Sequence, residues 1–197
     1  MELRFDEFEH GLEWVPEGDK LARTSHAVVA GDRVWLTDVV DGPGLDERIS
    51  ALGSPAAVIQ LLDRHGRDNT AVAERLGVPL YKTPLADIEG APFAVLPISK
   101  WRFWREIAVW FAEERVLACA DALGSIGYFR AQEEPFGVHP LLRLFPPRRA
   151  LADLEPEHLL FGHGPGFHGA DAPRALRESL ATSRRRLPLA LRNSVRR

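Results

Sequence analysis

A short loop in the first half of the chain collects side chains that could bind a metal ion. The stretch LLDRHGRDNTAVAERLGVPLY, residues 61–81, places Asp63, His65 and Asp68 between an apolar run and a helix-like segment. Imidazole and carboxylate groups are common ligands of zinc, and a bound metal can activate water for hydrolysis. Asp68 would equally serve as a helix cap, and His65 as an ordinary solvent-facing histidine. The loop alone leaves these interpretations open, so its role depends on the elements around it.

Composition and charge exclude several classes of protein. The chain has 197 residues, of which 45% are hydrophobic and 27% charged, as is typical of one globular domain. A formal net charge of -3 argues against a general nucleic-acid binder. The single Cys119 excludes an intrachain disulfide and a cysteine-rich zinc site. No apolar run reaches the roughly 20 residues of a membrane span, and the acidic start MELRFDEFEHG differs from a signal peptide. We therefore expect a cytoplasmic protein without nucleic-acid or membrane partners.

Strands and helices alternate in the first half of the sequence. Residues 25–40 contain two β-prone runs around Gly31 and Asp32, a pair that favours a hairpin turn. A helix is predicted over residues 45–53, then a strand covered on both faces in the apolar run AAVIQLLD. A second helix follows in residues 67–77, and a short strand in VPLYKTP. This alternation predicts an α/β layered domain.

The second half of the chain predicts another hairpin and a glycine-rich loop. Residues 105–125 hold two apolar runs separated by Ala112, Glu113 and Glu114. PEHLLFGHGPG predicts a strand that enters a glycine-rich loop, and a helix is expected after Asp171. The residues from 184 to 197 are basic, and we expect them to be a loosely attached end, with a basic contact surface as the alternative.

Four segments, in this order, resemble the metallo-β-lactamase fold superfamily. RVWLTDVVD resembles its early strand ending in aspartate, and DRHGRDNTAVAERLG its HxHxDH loop and helix. REIAVWFAEERVLACADALGS is similar to the late hairpin that delivers a bridging aspartate, and LEPEHLLFGHGPGFHGA to the last strand and histidine loop. The resemblance covers roughly residues 25–180. It implies one domain over residues 1–197, an αββα sandwich of two mixed β-sheets with outer helices.

The resemblance also implies which residues stand at the metal-ligand positions. Asp68, Asp121 and His163 match the family pattern, whereas His65 falls one residue out of register. Four further ligand positions carry residues that are poor zinc ligands or none. These are Arg64, Gly66, Asn69 and Arg102.

Two functional interpretations follow from this inventory. The first is a relative of the hydrolases that has lost most metal-ligand histidines and serves as a non-catalytic binding or regulatory protein, with no metal or other cofactor. The alternative is a hydrolase of an ester, thioester or phosphodiester with one zinc or iron ion. That ion would be held by Asp68, Asp121 and His163, with His65 as an additional ligand. A purely structural subunit role is a third alternative.

Without metal ions, the retained carboxylates need another positive charge nearby. Arginine is permanently charged and donates a fork of hydrogen bonds to a carboxylate. We therefore expect Arg64 or Arg102 within salt-bridge distance of Asp68 or Asp121. A small anionic ligand in the former metal cleft is the partner that this interpretation suggests, and a homodimer is one option for assembly.

Overall fold

The first β-sheet contains six strands in the order in which they occur in the chain. The computed structural model describes residues 2–131 and 133–195. The strands are β1 (Leu3–Phe8), β2 (Gly11–Pro16), β3 (Ser25–Ala30), β4 (Arg33–Thr37), β5 (Ser54–Gln60) and β6 (Leu80–Lys82). The strands from β1 to β4 are antiparallel neighbours, whereas β4, β5 and β6 are parallel. The predicted hairpin of residues 25–40 is confirmed as β3 and β4.

The second sheet is formed by later strands and has five members. The strands that follow β6 are β7 (Ala94–Trp101), β8 (Trp104–Phe111), β9 (Val116–Cys119), β10 (Leu123–Gly124), β11 (Gly137–Val138), β12 (His158–Phe161) and β13 (Phe167–His168). The five-stranded sheet has the order β13-β12-β9-β8-β7, and β10 pairs with β11 separately. Strands β8 and β9 confirm the second predicted hairpin, and β9 runs parallel to β12.

The helices cover the outer faces of these sheets. They are α1 (Leu45–Leu52), α2 (Asn69–Leu76), α3 (Arg148–Leu151), α4 (Ala172–Thr182) and α5 (Leu187–Val195). A 3-10 helix spans Pro140–Leu142, so the proline-broken stretch before α4 contains short helical pieces. No helix of the described residues is both long enough and apolar enough to cross a membrane.

Successive side chains of a strand point to opposite sides of its sheet, so the two faces of a strand pack in different layers of the protein. In β5, Ala57 and Ile59 join the core between the sheets, whereas Val58 points to the core shared with α1 and α2. Each fully buried aliphatic side chain of this kind stabilises the fold by roughly 1.5–3 kcal/mol. The resulting arrangement is helix, sheet, sheet, helix, which confirms the αββα sandwich.

The ordered structure extends beyond the segment predicted as core at both ends. Strands β1 and β2 belong to the first sheet, and Trp14 is fully buried. Gly11 (φ +149°) lies so close to the Ala27 carbonyl oxygen that a Cβ would come within 1.9 Å. At the other end, residues 187–195 form a helix with a buried Ala190, instead of a loosely attached end. Residues 196 and 197 lie outside the described part of the chain.

Candidate metal centre

Three side chains meet where strands of the two sheets end. Asp121 follows β9 and His163 follows the neighbouring parallel strand β12, so both lie at the same edge of the second sheet. His65 is brought there by the loop after β5. That loop crosses to the second sheet, where the Leu61 carbonyl accepts a hydrogen bond from the Ile107 N–H at 2.9 Å. One ligand atom of each of His65, Asp121 and His163 lies within 4.8 Å of the others.

The distances within this cluster suit a metal ion. Asp121 Oδ1 lies 3.2 Å from His65 Nε2 and 3.3 Å from His163 Nε2. A tetrahedral zinc ion with bonds of about 2.0–2.1 Å places its ligand atoms about 3.4 Å apart. Among the described residues, buried Asp121 Oδ1 has no well-aligned hydrogen-bond donor. Two imidazoles and one carboxylate are a donor set that suits zinc or iron, so the residues present fit such an ion.

Both imidazole rings are oriented through their other nitrogen. His65 Nδ1 donates to Asp38 Oδ2 at 2.7 Å, and His163 Nδ1 donates to the Leu21 carbonyl at 2.7 Å. A carbonyl can only accept, so the Nδ1 of His163 carries a hydrogen, and Nε2 is the ring atom that faces Asp121. Asp38 is itself held by the Leu61 N–H, which donates to its Oδ1 at 2.9 Å. Partners of this kind typically fix metal-binding histidines.

The charges in the metal-free cluster stabilise one another. Burial opposes ionisation of Asp121, but the nearby Nε2 groups of His163 and His65 outweigh it and hold the pKa of Asp121 well below its usual range. Burial also opposes charging of His65, yet the carboxylates of Asp38 and Asp121 raise its pKa to about 9. His65 is therefore an imidazolium near pH 7 unless a metal ion replaces its proton.

One of the two arginines expected near the carboxylates is found there. Arg64 Nη2 lies 3.7 Å from Asp121 Oδ2, which is the expected ion pair, and the Arg64 side chain is 48% exposed. Its guanidinium also lies 4.5 Å from the ring centre of Trp104. Arg102 is exposed and lies over the ring of Phe103. Within the described residues it makes no ion pair with Asp68 or Asp121.

Asp68 does not join the cluster, which corrects the register inferred from the sequence. Asp68 is exposed, and its Oδ2 accepts a hydrogen bond from the Asp41 N–H at 2.9 Å. It precedes α2 without capping that helix through its side chain. Asn69 is buried instead and bonds to the Val39 N–H and the His65 carbonyl. The His65 side chain therefore faces Asp121, whereas the Asp68 side chain lies on the surface.

Arg67 is a structural residue of the site that sequence reasoning missed. Its guanidinium donates to the carbonyls of Thr24, Asp38 and Gly162 at 2.6, 2.7 and 2.9 Å. It therefore ties the start of β3, the end of β4 and the end of β12 to the loop that carries His65. Its backbone has a positive φ of 36°, and the run HGRD gives no signal that distinguishes it from Arg64.

A cleft of about 720 Å³ opens beside the cluster. Asp121 and His163 form part of its wall. The remaining lining residues are Lys20, Leu21, Ile126, Tyr128, Phe129 and His139. Burial lowers the pKa of His139 to about 4, so this ring is neutral near pH 7. Its Nδ1 accepts from the Leu141 N–H at 3.2 Å, which leaves the hydrogen on Nε2.

Comparison with solved structures identifies the fold. The metallo-β-lactamase from Erythrobacter litoralis is 13% identical, with a TM-score of 0.57, covering 96% of this chain and 92% of that one. That from Pontibacter korlensis is 11% identical, with a TM-score of 0.58, covering 92% and 99%. The FIM-1 enzyme from Pseudomonas aeruginosa in its mono-zinc form is 11% identical, with a TM-score of 0.58, covering 99% and 97%. Neither a family model nor a curated protein matches the sequence. The chain has the metallo-β-lactamase fold.

Proposed function

We propose that the protein is a metal-dependent hydrolase with a single ion held by His65, Asp121 and His163. The observation that carries this proposal is the convergence of two Nε2 atoms and one carboxylate oxygen at 3.2 and 3.3 Å. Three protein ligands leave a further position for water or substrate, as in catalytic zinc sites. Of the four ligands that the sequence suggested, this proposal keeps His65, Asp121 and His163 and leaves out Asp68.

The residues around the cluster supply orientation and hydrogen bonding. When bound, a divalent ion contributes Lewis acidity, which activates water and polarises a carbonyl or phosphoryl oxygen. Asp38 and the Leu21 carbonyl keep the two Nε2 atoms directed toward Asp121. The neutral His139 offers its Nε2–H to an oxygen of a substrate in the cleft, because its Nδ1 is engaged by the backbone.

The lining of the cleft favours a substrate with an apolar group. Leu21, Ile126 and Phe129 supply apolar wall, and Lys20 adds a positive charge. A small ester or thioester with an apolar acyl chain suits this wall better than a phosphodiester. A negative charge on the substrate would be attracted by Lys20 in the cleft and by Arg64 beside Asp121.

Metal content and hydrolysis, measured together, test this proposal. Protein purified with Zn²⁺ or Fe²⁺ is analysed for bound metal and assayed with aryl esters, thioesters and a phosphodiester. Asp121→Asn and His65→Ala should each lose at least about tenfold in metal affinity and in hydrolysis, since they remove proposed ligands. Asp68→Asn is the matched control and should retain both. Wild-type protein that binds no metal, or Asp121→Asn that binds it as well as Asp68→Asn does, would overturn the proposal.

A second candidate function is metal-free binding of a small anion, which is the interpretation that the sequence favoured. The observation in its favour is the positive charge already beside Asp121. Arg64 lies 3.7 Å from it, and the pKa of His65 is raised to about 9 because burial is outweighed by neighbouring carboxylates. Under this candidate the cluster needs no cation, and Arg64 with Lys20 attracts a carboxylate or phosphate.

Arg64→Ala and chelation separate the second candidate from the first. Under metal-free anion binding, Arg64→Ala should weaken calorimetric binding of phosphate or acetate, while exposed Arg102→Ala should not. Because Arg64 is 48% exposed, its loss should cost no more than about 1 kcal/mol of stability. EDTA should leave the melting temperature unchanged under this candidate, whereas it should lower that temperature if an ion is bound at the cluster.

A further inference from the structure

A second group of metal-ligating side chains lies at the other end of strand β12. His158 begins this strand, whereas His163 follows its end. Glu9 and His10 form the turn between β1 and β2, which belong to the other sheet. One ligand atom of each of Glu9, His10 and His158 lies within 4.8 Å of the others. The group thus joins the N-terminal hairpin to the second sheet.

The contacts within this group resemble those of the first cluster. Glu9 Oε2 lies 3.8 Å from His158 Nε2, close to the roughly 3.4 Å between ligands of a tetrahedral zinc ion. His158 Nδ1 and His168 Nδ1 are 3.0 Å apart and share one hydrogen bond. The ring of His10 meets that of His158 edge-on, with centres 5.6 Å apart. Phe8 packs against both His158 and His168 and limits their rotation.

The strongest indication of a ligand is the other nitrogen of His158. His158 is 7% exposed, and its Nε2 is buried without a hydrogen-bond partner among the described residues. A buried polar atom that lacks a partner costs roughly 1–3 kcal/mol. When the Nδ1 of His158 donates to His168, its Nε2 presents a lone pair to Glu9.

We propose that Glu9, His10 and His158 bind one divalent transition-metal ion such as Zn²⁺. Two imidazoles and a carboxylate suit this class of ion, and His168 would orient His158 through the shared Nδ1 hydrogen bond. The ion would link the turn after β1 to the start of β12 and so stabilise the contact between the two sheets. This site is independent of the hydrolytic function proposed above, since it shares no ligand with that cluster.

Zinc titration of paired variants tests the second site. Wild-type protein should bind two Zn²⁺ ions, His65→Ala should bind one, and the double variant His65→Ala with His10→Ala should bind none. Glu9→Gln should weaken binding at the second site by at least about tenfold, and the exposed Glu17→Gln should leave it unchanged. Zn²⁺ should also shift the imidazole ¹⁵N signals of His10 and His158, and the resulting gain in melting temperature should fall in Glu9→Gln.

Several results would overturn this inference. The inference is wrong if adding His10→Ala to His65→Ala leaves the number of bound ions unchanged. It is also wrong if Glu9→Gln and Glu17→Gln bind Zn²⁺ with equal affinity, or if the ¹⁵N signals of His10 and His158 do not shift when Zn²⁺ is added. If His10→Ala does not fold, Glu9→Gln carries the test, because Glu9 is exposed in a turn. If His10→Ala loses one bound ion and His65→Ala loses none, the result would support the second site and refute the metal-binding step of the proposed function.

Discussion

Three histidines of this protein differ in charge because their neighbours differ. Burial lowers the pKa of His26 to about 3 and that of His139 to about 4, so both rings are neutral. Burial acts in the same direction on His65, but Asp38 and Asp121 raise its pKa to about 9. Desolvation disfavours the charged ring, and an adjacent carboxylate favours it. A histidine's role in this chain is therefore decided by its partners, not by its burial alone.

A buried carboxylate also makes the stability of the protein depend on pH. Burial raises the pKa of Glu13 from 4.5 to about 7, although the Gly166 N–H donates to both of its oxygens at 3.0 Å. Because the folded pKa lies above the unfolded one, the folded state holds the proton more tightly. The contribution of Glu13 to stability is greatest below pH 4.5 and falls as the pH rises through about 7, with a loss on the order of 3 kcal/mol.

Glu13→Gln should remove this part of the pH dependence. The amide stays neutral and keeps a carbonyl acceptor for the Gly166 N–H. The difference in unfolding free energy between pH 5 and pH 8 should then change by about 3 kcal/mol relative to wild type. Urea unfolding at both pH values provides the measurement, with the exposed Glu17→Gln as control. Parallel profiles for wild type and Glu13→Gln would show that Glu13 titrates normally.

At the scale of elements, the segment between β10 and β11 depends on one buried ion pair. Arg143 is fully buried and donates to Glu134 Oε2 at 2.6 Å and to the Phe129 carbonyl at 2.6 Å. Glu134 also accepts from the Ala131 N–H at 2.6 Å. The segment carries Tyr128 and Phe129 into the cleft. The pair therefore positions much of the cleft wall.

Glu134→Gln should be strongly destabilising. It leaves the charge of Arg143 buried without its counter-ion, which costs roughly 3–5 kcal/mol in comparable sites. Chemical denaturation should show that loss, whereas the exposed neighbour variant Glu133→Gln should stay within about 0.5 kcal/mol of wild type. A loss below 1 kcal/mol would mean that the backbone carbonyls around Arg143 suffice to hold it.

At the scale of the whole molecule, the N-terminal hairpin contributes to both the first sheet and the second proposed metal site. The N-terminal hairpin completes the first sheet, and its Trp14 donates through Nε1 to the Val40 carbonyl at 2.8 Å. Strand β12 carries His163 toward one edge of the second sheet and His158 toward the other. The proposed metal sites thus lie at opposite ends of one strand, and the hairpin contributes to the second.

Trp14→Ala should show that the N-terminal hairpin is part of the cooperative core. Removal of this fully buried ring should cost about 3–5 kcal/mol, and it also leaves the Val40 carbonyl without its donor. Thermal or urea unfolding measures the loss. Trp101→Ala is the matched control, because Trp101 is 63% exposed and should change stability little. Equal stability of the two variants would contradict a role for the hairpin in the core.

Local patterns were enough to predict most of the fold. Glycine turns and apolar periodicity act over a few residues, so the hairpins formed by β3 with β4 and β8 with β9 could be predicted from the sequence. The N-terminal hairpin was missed because its burial depends on pairing with β3 and on packing against Val40. The helical C-terminal end was missed for the same reason, since Ala190 is buried only by tertiary contacts.

The candidate site could likewise be predicted from the sequence only in part. Asp121 and His163 follow strands whose apolar runs are recognisable, so their position at one sheet edge could be expected from the sequence and its resemblance. The sequence could not predict that His65 joins these two residues and that Asp68 does not. Asn69 and Asp38 hold the loop so that the imidazole turns inward and the aspartate outward, and Asp38 is 27 residues from His65. A loop has no periodicity that assigns its side chains to a face, so only contacts with distant strands decide which of them joins Asp121 and His163.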